Sequence, residues 1–427
     1  MQVGDNVNAT LNQASIITHG NASWGIWQTG IGSTTTVTDT AIHTYGDSAV
    51  GVVNYGGVIN VNGGSIVTEG QSAHGLYAAD NTGTPGAHAI LNANNVNVTT
   101  NGNSHGAVVL EGAEMAITGG NITSNGTGIA AAYVNGRGVE STKLTIDGTQ
   151  LVTTGSDSNG VKVVNNGEVS LNNVAIQSTL GGGLASTATM DGINKTINVS
   201  NTTVAAQKGS AISYSGGSAD INLSNSNFDG ATLIHVSDNV VDPTTTIAAG
   251  TTNLNANNSY LNGAIGAIVD SGTLNLNLNQ STLNGDINVT SPAATANLNL
   301  INNSLFKGAA HNVEQLAIDS SSNWLLTGDS TVNTTTNGGT ITFDPASSFK
   351  TLSTNNYVGN GGKLVMNTAL GDDSSATDKL VIDGGHASGT TDILVNNAGG
   401  AGAQTDNGIL LVEAINGGTT DTAAFKL

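Results

Sequence analysis

Apolar and polar residues alternate along this chain over short stretches, with no 3.6-residue apolar period anywhere, so the pattern predicts strands and no helices. The stretches recur as a two-strand phrase. An apolar-Asn-apolar triplet is followed by a turn rich in Asn and Gly, then by an apolar residue and Thr-x-Gly or a relative of it. The phrase reads Ile59-Asn60-Val61 to Ile66-Val67-Thr68-Glu69-Gly70, then Leu91-Asn92-Ala93 to Val98-Thr99-Thr100-Asn101-Gly102, then Met115-Ala116-Ile117 to Ile122 and Gly126. It continues through Leu144-Thr145-Ile146, Val169-Ser170-Leu171, Ile197-Asn198-Val199, Ile221-Asn222-Leu223, Leu274-Asn275-Leu276 and Leu298-Asn299-Leu300. The second-strand anchors fall at Ile66, Val98, Ile122, Leu151, Ile176, Val204, Phe228, Leu261, Leu283 and Leu305, nine intervals over 239 residues with a mean near 27 and a floor of 22.

A repeat of that length built from short alternating strands is one coil of a parallel β-helix. A single coil cannot bury its inward face, but coils stacked at roughly 4.8 Å pair every strand with the coil above and below. The length accommodates about 16 or 17 coils, a rod of roughly 80 Å at that spacing. Gly51, Gly75, Gly106, Gly128 and Gly160 form a further ladder, predicting a bend that needs positive φ or close backbone approach.

Composition sharpens this picture. Gly (58) and Asn (55) make up about a quarter of the 427 residues, while charged residues are only 9% and aromatic residues 4%. Asn suits repeated turns because it tolerates left-handed backbone and its amide can bond the next Asn in a column. Nine Lys and one Arg against 30 acids give a net charge of −20, which argues against nucleic acid as a partner. The absence of Cys removes disulfides and thiolate metal sites. Met1 to Asn12 has neither a basic segment nor an apolar run, so an export signal is expected to have been removed, and the apolar runs are too short for a membrane helix.

Several motifs dissolve into the repeat. Gly46-Asp47-Ser48 hints at a serine hydrolase but aligns with Gly70-Gln71-Ser72, an ordinary turn. His74 and His105 occupy equivalent positions and would stack one coil apart; two imidazoles could share a metal, yet no third ligand type recurs there, so no metal and no cofactor are expected. Asn-x-Ser/Thr triplets are what an Asn- and Thr-rich repeat generates, and Asp372-Asp373 has no neighbour of a second chemical role.

One feature rises above the scaffold. The excess over the minimal coil falls at one phase, in the excursions Ala79–Ala89, Asn135–Thr142, Ser186–Lys195 and Ser237–Thr251, each just before an apolar-Asn-apolar strand. Insertions at one phase project from one face, often the binding face of a solenoid. The candidate ligand-binding residues there are Asp80, His88, Arg137, Glu140, Asp191, Lys195, Asp238 and Asp242, a polar set of mixed sign.

The pattern changes after Ile318. Ser322-Asn323-Trp324-Leu325-Leu326-Thr327-Gly328, Gly338-Gly339-Thr340-Ile341-Thr342-Phe343, Gly361-Gly362-Lys363-Leu364-Val365-Met366-Asn367 and Asp378-Lys379-Leu380-Val381-Ile382-Asp383-Gly384 resemble the C-terminal passenger segment of autotransporters of the pertactin and AIDA adhesin type. So does the stretch from Gly389 to Val412. The resemblance divides the chain into 1–316, β-helix repeats with surface insertions, and 317–427, a capping, folding-nucleating segment. It implies a right-handed parallel β-helix with Trp324, Phe343, Leu364 and Leu380 in the core. It further implies a bacterial passenger, presented at the cell surface or released, whose full precursor has its own outer-membrane β-barrel. The expected function is non-enzymatic adhesion to host matrix proteins or glycans. Self-association in aggregates and biofilm is the alternative, and a polysaccharide-acting enzyme the second, which would need several convergent carboxylates among Asp191, Asp220, Asp229, Asp238 and Asp242.

Overall fold

The computed structural model describes residues 1–80, 87–137, 142–346 and 348–427. Among them are strands and turns only, and the strands pair in parallel from coil to coil, forming a β-solenoid of about 15 turns. The chain divides into two compact units, Met1–Gly250 and Thr251–Leu427.

Each coil of the first unit contributes to three sheets. The phrase read from the sequence supplies two of them. In sheet 2, Gly57–Asn62 pairs with Ala89–Asn94, which pairs with Glu114–Thr118, setting Ile59, Leu91 and Met115 in one inward column. In sheet 3, Ser65–Thr68, Asn97–Thr100 and Asn121–Ser124 align Ile66, Val98 and Ile122. Sheet 1 is a third strand per coil that the phrase does not contain: Ile26–Gln28, Val52–Asn54, Leu76–Ala79, Ala107–Leu110 and Ala130–Asn135.

The motif residues now have physical roles. The Thr of Thr-x-Gly turns inward and closes the corner after sheet 3: Thr68 donates to the carbonyl of Ala73, and Thr100 to that of Ser104 at 2.9 Å. The Gly is required because the corners stack backbone on backbone. A Cβ at Gly70 would lie 2.1 Å from the carbonyl oxygen of Gly46, and one at Gly102 2.1 Å from that of Gly70. Asn plays both parts expected of it. Left-handed Asn95, Asn173, Asn201 and Asn258 end the sheet 2 strands, and carboxamide ladders join Asn92 to Asn60 and Asn94 to Asn62, both at 2.9 Å. The Gly51, Gly75, Gly106 and Gly160 ladder reflects close approach, not positive φ. Gly128 departs from it, with φ +70° and open space around its Cβ position.

The second unit is built on the same repeat with larger aromatic residues in its inward columns. One inward column runs Leu254, Leu276, Leu298, Leu316, Thr335, Tyr357. Another runs Leu283, Phe306, Trp324, Ile341, Leu364. The anchor in this coil is therefore Phe306, fully buried, and the neighbouring Leu305 is only partly covered. Trp324, Phe343, Leu364 and Leu380 are each fully buried.

Candidate functional site

The four excursions all lie at the bend from sheet 1 to sheet 2. The first separates Leu76–Ala79 from Ala89–Asn94, the second Ala130–Asn135 from Thr142–Asp147, the third Leu184–Thr187 from Asn194–Ser200, and the fourth follows Asn227–Ser237. They occupy alternate coils, so adjacent excursions are two coils, roughly 10 Å, apart. First and last are then separated by about 29 Å, too far to form one pocket.

The excursion residues differ in what they do. Asp80 and His88 meet, Oδ2 to Nδ1 at 3.0 Å, while Asp80 Oδ1 accepts from the amide of Ala89. Arg137 reaches back one coil to Glu111, Nη1 to Oε1 at 2.7 Å. Asp191 is exposed. Asp238 accepts from the Ala249 amide, and Asp242 from the amide and hydroxyl of Thr244, bonds that lower its pKa. Glu140 lies outside the described residues. Lys195 does not face solvent: it is 3% exposed, and its Nζ lies 3.0 Å from Ser186 Oγ and 5.6 Å from the Tyr214 ring centroid. Strand alternation explains this, since Lys195 shares the inward side of Asn194–Ser200 with Ile197 and Val199. Of the carboxylates in the enzyme reading, Asp220 is on sheet 2 and Asp229 on sheet 3.

Beside the first two excursions lies a surface that the repeat phrase did not reveal. The outward column of sheet 1 runs Trp27, Val53, Tyr77, Val108, Tyr133, with Lys162 next. Rings alternate with valines, and Val53 and Val108 are each covered to 2% exposure. Tyr55 joins the same patch over Ala79, Val108 and Leu110. Trp24 meets Trp27 edge to face at 4.8 Å. Six of the chain's 15 Phe, Trp and Tyr residues, counting Tyr45, are thus on the outer surface between residues 24 and 133. Their concentration was present in the sequence, but the outward direction became clear only once sheet 1 was recognised as a strand ladder.

His74 and His105 extend the patch along its edge. Their rings stack at 5.3 Å, and His105 stacks on Tyr133 at 4.7 Å. His74 Nδ1 accepts from the amide of His105, and His105 Nδ1 accepts from that of Ala130. With Nδ1 engaged by backbone donors, the proton of each neutral ring sits on Nε2. Burial lowers His74 to about 4 and His105 to about 3, so both rings are neutral at pH 7. Burial likewise raises the Tyr77 hydroxyl. No group of three or more metal-ligating side chains is present among the described residues.

With its strands paired in parallel from coil to coil, the protein belongs to the class of parallel β-solenoids. The comparisons narrow the class. Residues 330–427 match the autochaperone domain type 1 family. Similar proteins include the adhesin BmaC autotransporter of Brucella suis (49% identity over 79 residues, 18% of this chain and 2% of that protein) and the uncharacterised protein YuaQ of Escherichia coli K12 (48% over 82 residues, 19% and 6%). A third is the uncharacterised protein YdeU of E. coli K12 (42% over 79 residues, 16% and 17%), so the chain spans only a small part of these relatives. Fold and matches together support an autotransporter passenger domain, with the family match confined to residues 330–427.

Proposed function

We propose that this passenger is a non-enzymatic adhesin that attaches bacteria to host extracellular matrix through the outer face of sheet 1. The observation carrying this reading is the gathering of Trp24, Trp27, Tyr55, Tyr77 and Tyr133 on one outward strip, in a chain with 15 Phe, Trp and Tyr residues in all. Tyr and Trp supply large contact area at low entropic cost and are enriched at recognition surfaces. The polar bend carrying Asp80, His88 and Arg137 flanks that strip, and Glu111 and Arg137 both act electrostatically on Tyr77. In the full precursor an outer-membrane β-barrel would deliver the passenger to the cell surface.

The test is retention of beads coated with the purified chain on a basement-membrane protein gel. Wild-type beads are expected to be retained and Trp24→Ala/Trp27→Ala beads to wash away. Equal retention of both, or beads clumping with one another while ignoring the gel, would refute attachment through this face and favour self-association.

A further inference from the structure

We infer that a groove on the outer surface of the second unit binds a linear polyamine, a chain of ammonium groups joined by short methylene links. Four successive strands form it: Val313–Ile318, Ser330–Asn337, Thr351–Thr368 and Lys379–Asp383. Val313, Val332, Thr354 and Ile382 stand in register and point inward, each buried. The residues beside them therefore face out, in two columns with a gap between. One column is Glu314, Asn333, Asn355, Asp383, and across from it lie Thr331 and Ser353. The gap is a cavity of about 290 Å³ lined from all four strands, so it runs along the stack of coils.

The lining selects the sign of the ligand's charge. It holds two carboxylates, three carboxamides and two hydroxyls, and no Lys, Arg or His. Such a wall pairs with a cation that carries N–H donors, since charge-assisted bonds to carboxylate are the strong ones, and it repels a phosphate or sulfate. The carboxylates are also held in place. Asn333 Nδ2 donates to Glu314 Oε1 at 2.7 Å, and Asn416 Nδ2 to Asp383 Oδ1 at 2.6 Å. Each bond fixes one oxygen of its carboxylate and leaves the second to accept from a ligand.

Spacing selects the ligand's shape. Acceptors in the first column repeat once per coil, roughly every 4.8 Å, which puts Glu314 and Asp383, three coils apart, about 14 Å from each other. In an extended chain of bonds of about 1.5 Å, each bond advances about 1.25 Å, so amines joined by three methylenes are about 5 Å apart. Spermine, whose four amines are joined by links of three, four and three methylenes, spans about 16 Å by the same arithmetic. Its terminal ammonium groups then meet Glu314 and Asp383, and its two inner ones meet the side-chain carbonyls of Asn333 and Asn355. Four donors face four acceptors. A metal ion would satisfy one rung only, and the ammonium groups of a lysine-rich peptide hang on separate flexible stems with nothing to hold them at this interval.

The test is isothermal titration calorimetry of the whole chain with spermine at about 0.15 M salt, where attraction to net charge alone is largely screened. One equivalent of spermine should bind, more tightly than spermidine and far more tightly than putrescine. Tetralysine, which matches spermine in charge but not in spacing, should bind about tenfold more weakly or worse. Glu314→Gln and Asp383→Asn should each weaken spermine about tenfold or more, the loss of one charge-assisted bond. Asp191→Asn removes the same charge from an exposed loop of the first unit and should change nothing. Should Asp383→Asn lose its fold, as judged by circular dichroism, Glu314→Gln decides alone, because that side chain is exposed. Absence of saturable spermine binding would overturn the site, as would unchanged binding by folded Glu314→Gln. Equal weakening by Asp191→Asn, or tetralysine binding as tightly as spermine, would reduce it to attraction by net charge and overturn it too.

Discussion

Lys195 is the residue least suited to its position. Its neighbours in the inward column of sheet 2 are Gly167 and Ala219, and small residues on either side leave room for a long side chain to lie inside the corner. There its amine has a hydroxyl partner in Ser186 but no carboxylate, and the nearby Tyr214 hydroxyl is buried with no partner of its own. Burial lowers the amine from 10.5 to about 7. Between those values the unfolded chain holds a proton that the folded chain has released. Stability should therefore rise as pH climbs from about 7 to 10.5, and below 7 the penalty is constant. The full difference corresponds to about 5 kcal/mol at most. Lys195→Met keeps the length and removes the charge, so it should raise the urea midpoint at pH 7 and flatten its climb toward pH 10. A midpoint at pH 7 equal to or below wild type would show that the amine is not penalised. The period-two alternation Lys195, Ile197, Val199 already marked this lysine as inward; its place at the end of an excursion suggested the surface, and alternation prevailed.

At the scale of the strand and corner, the solenoid is specified by what cannot be larger. A Cβ on Gly106 would sit 2.2 Å from Ile122 Cγ2 and 2.6 Å from the Ala131 carbonyl oxygen, in a backbone conformation any residue could adopt. Gly128 is the converse case, open in space but held at φ +70°. Gly106→Ala should then cost roughly 1–3 kcal/mol through overpacking. Gly128→Asn should be close to neutral, since Asn accepts the left-handed region. Thermal unfolding of the two variants separates the causes, and a reversed order would mean that backbone conformation, not close approach, fixes the ladder. Sheets 2 and 3 were legible in the sequence because one side of each is buried and the other is solvated, which writes strict alternation. Sheet 1 was not, because aromatic rings cover its outer side too: Val52–Asn54 and Ala107–Leu110 are buried at every position and read as short apolar runs without a period. The aromatic strip was missed for the same reason. The excursions were legible because added length at a fixed phase needs no knowledge of the third sheet.

At the scale of the whole molecule, the two units are built from different cores, and this bears on how a passenger folds. In Met1–Gly250 the buried aromatics are Tyr214 and Phe228; in Thr251–Leu427 they include Phe306, Trp324, Phe343 and Tyr357. Trp324 stacks on Phe306 at 5.7 Å and donates Nε1–H to the Gly308 carbonyl at 2.9 Å. The buried Asp378 carboxylate accepts from the Lys350 amide and from the amide and side chain of Asn367, at 2.7 to 2.8 Å. Phe306, Trp324, Phe343 and Tyr357 each bury a large apolar side chain in the second unit, and the autochaperone match lies within it. A solenoid's stability is approximately the sum of its coils and their nearest-neighbour interfaces, so the unit with the richer coils should persist when the other has melted. The three tryptophans make this measurable, two in the first unit and one in the second. In Trp24→Phe/Trp27→Phe only Trp324 fluoresces, reporting the second unit, while far-ultraviolet circular dichroism reports every strand. On titration with guanidinium chloride, the fluorescence midpoint should lie at higher denaturant than the main loss of circular dichroism. Coincident midpoints would mean that the coils melt as one, and that no part of the solenoid survives alone to template the rest.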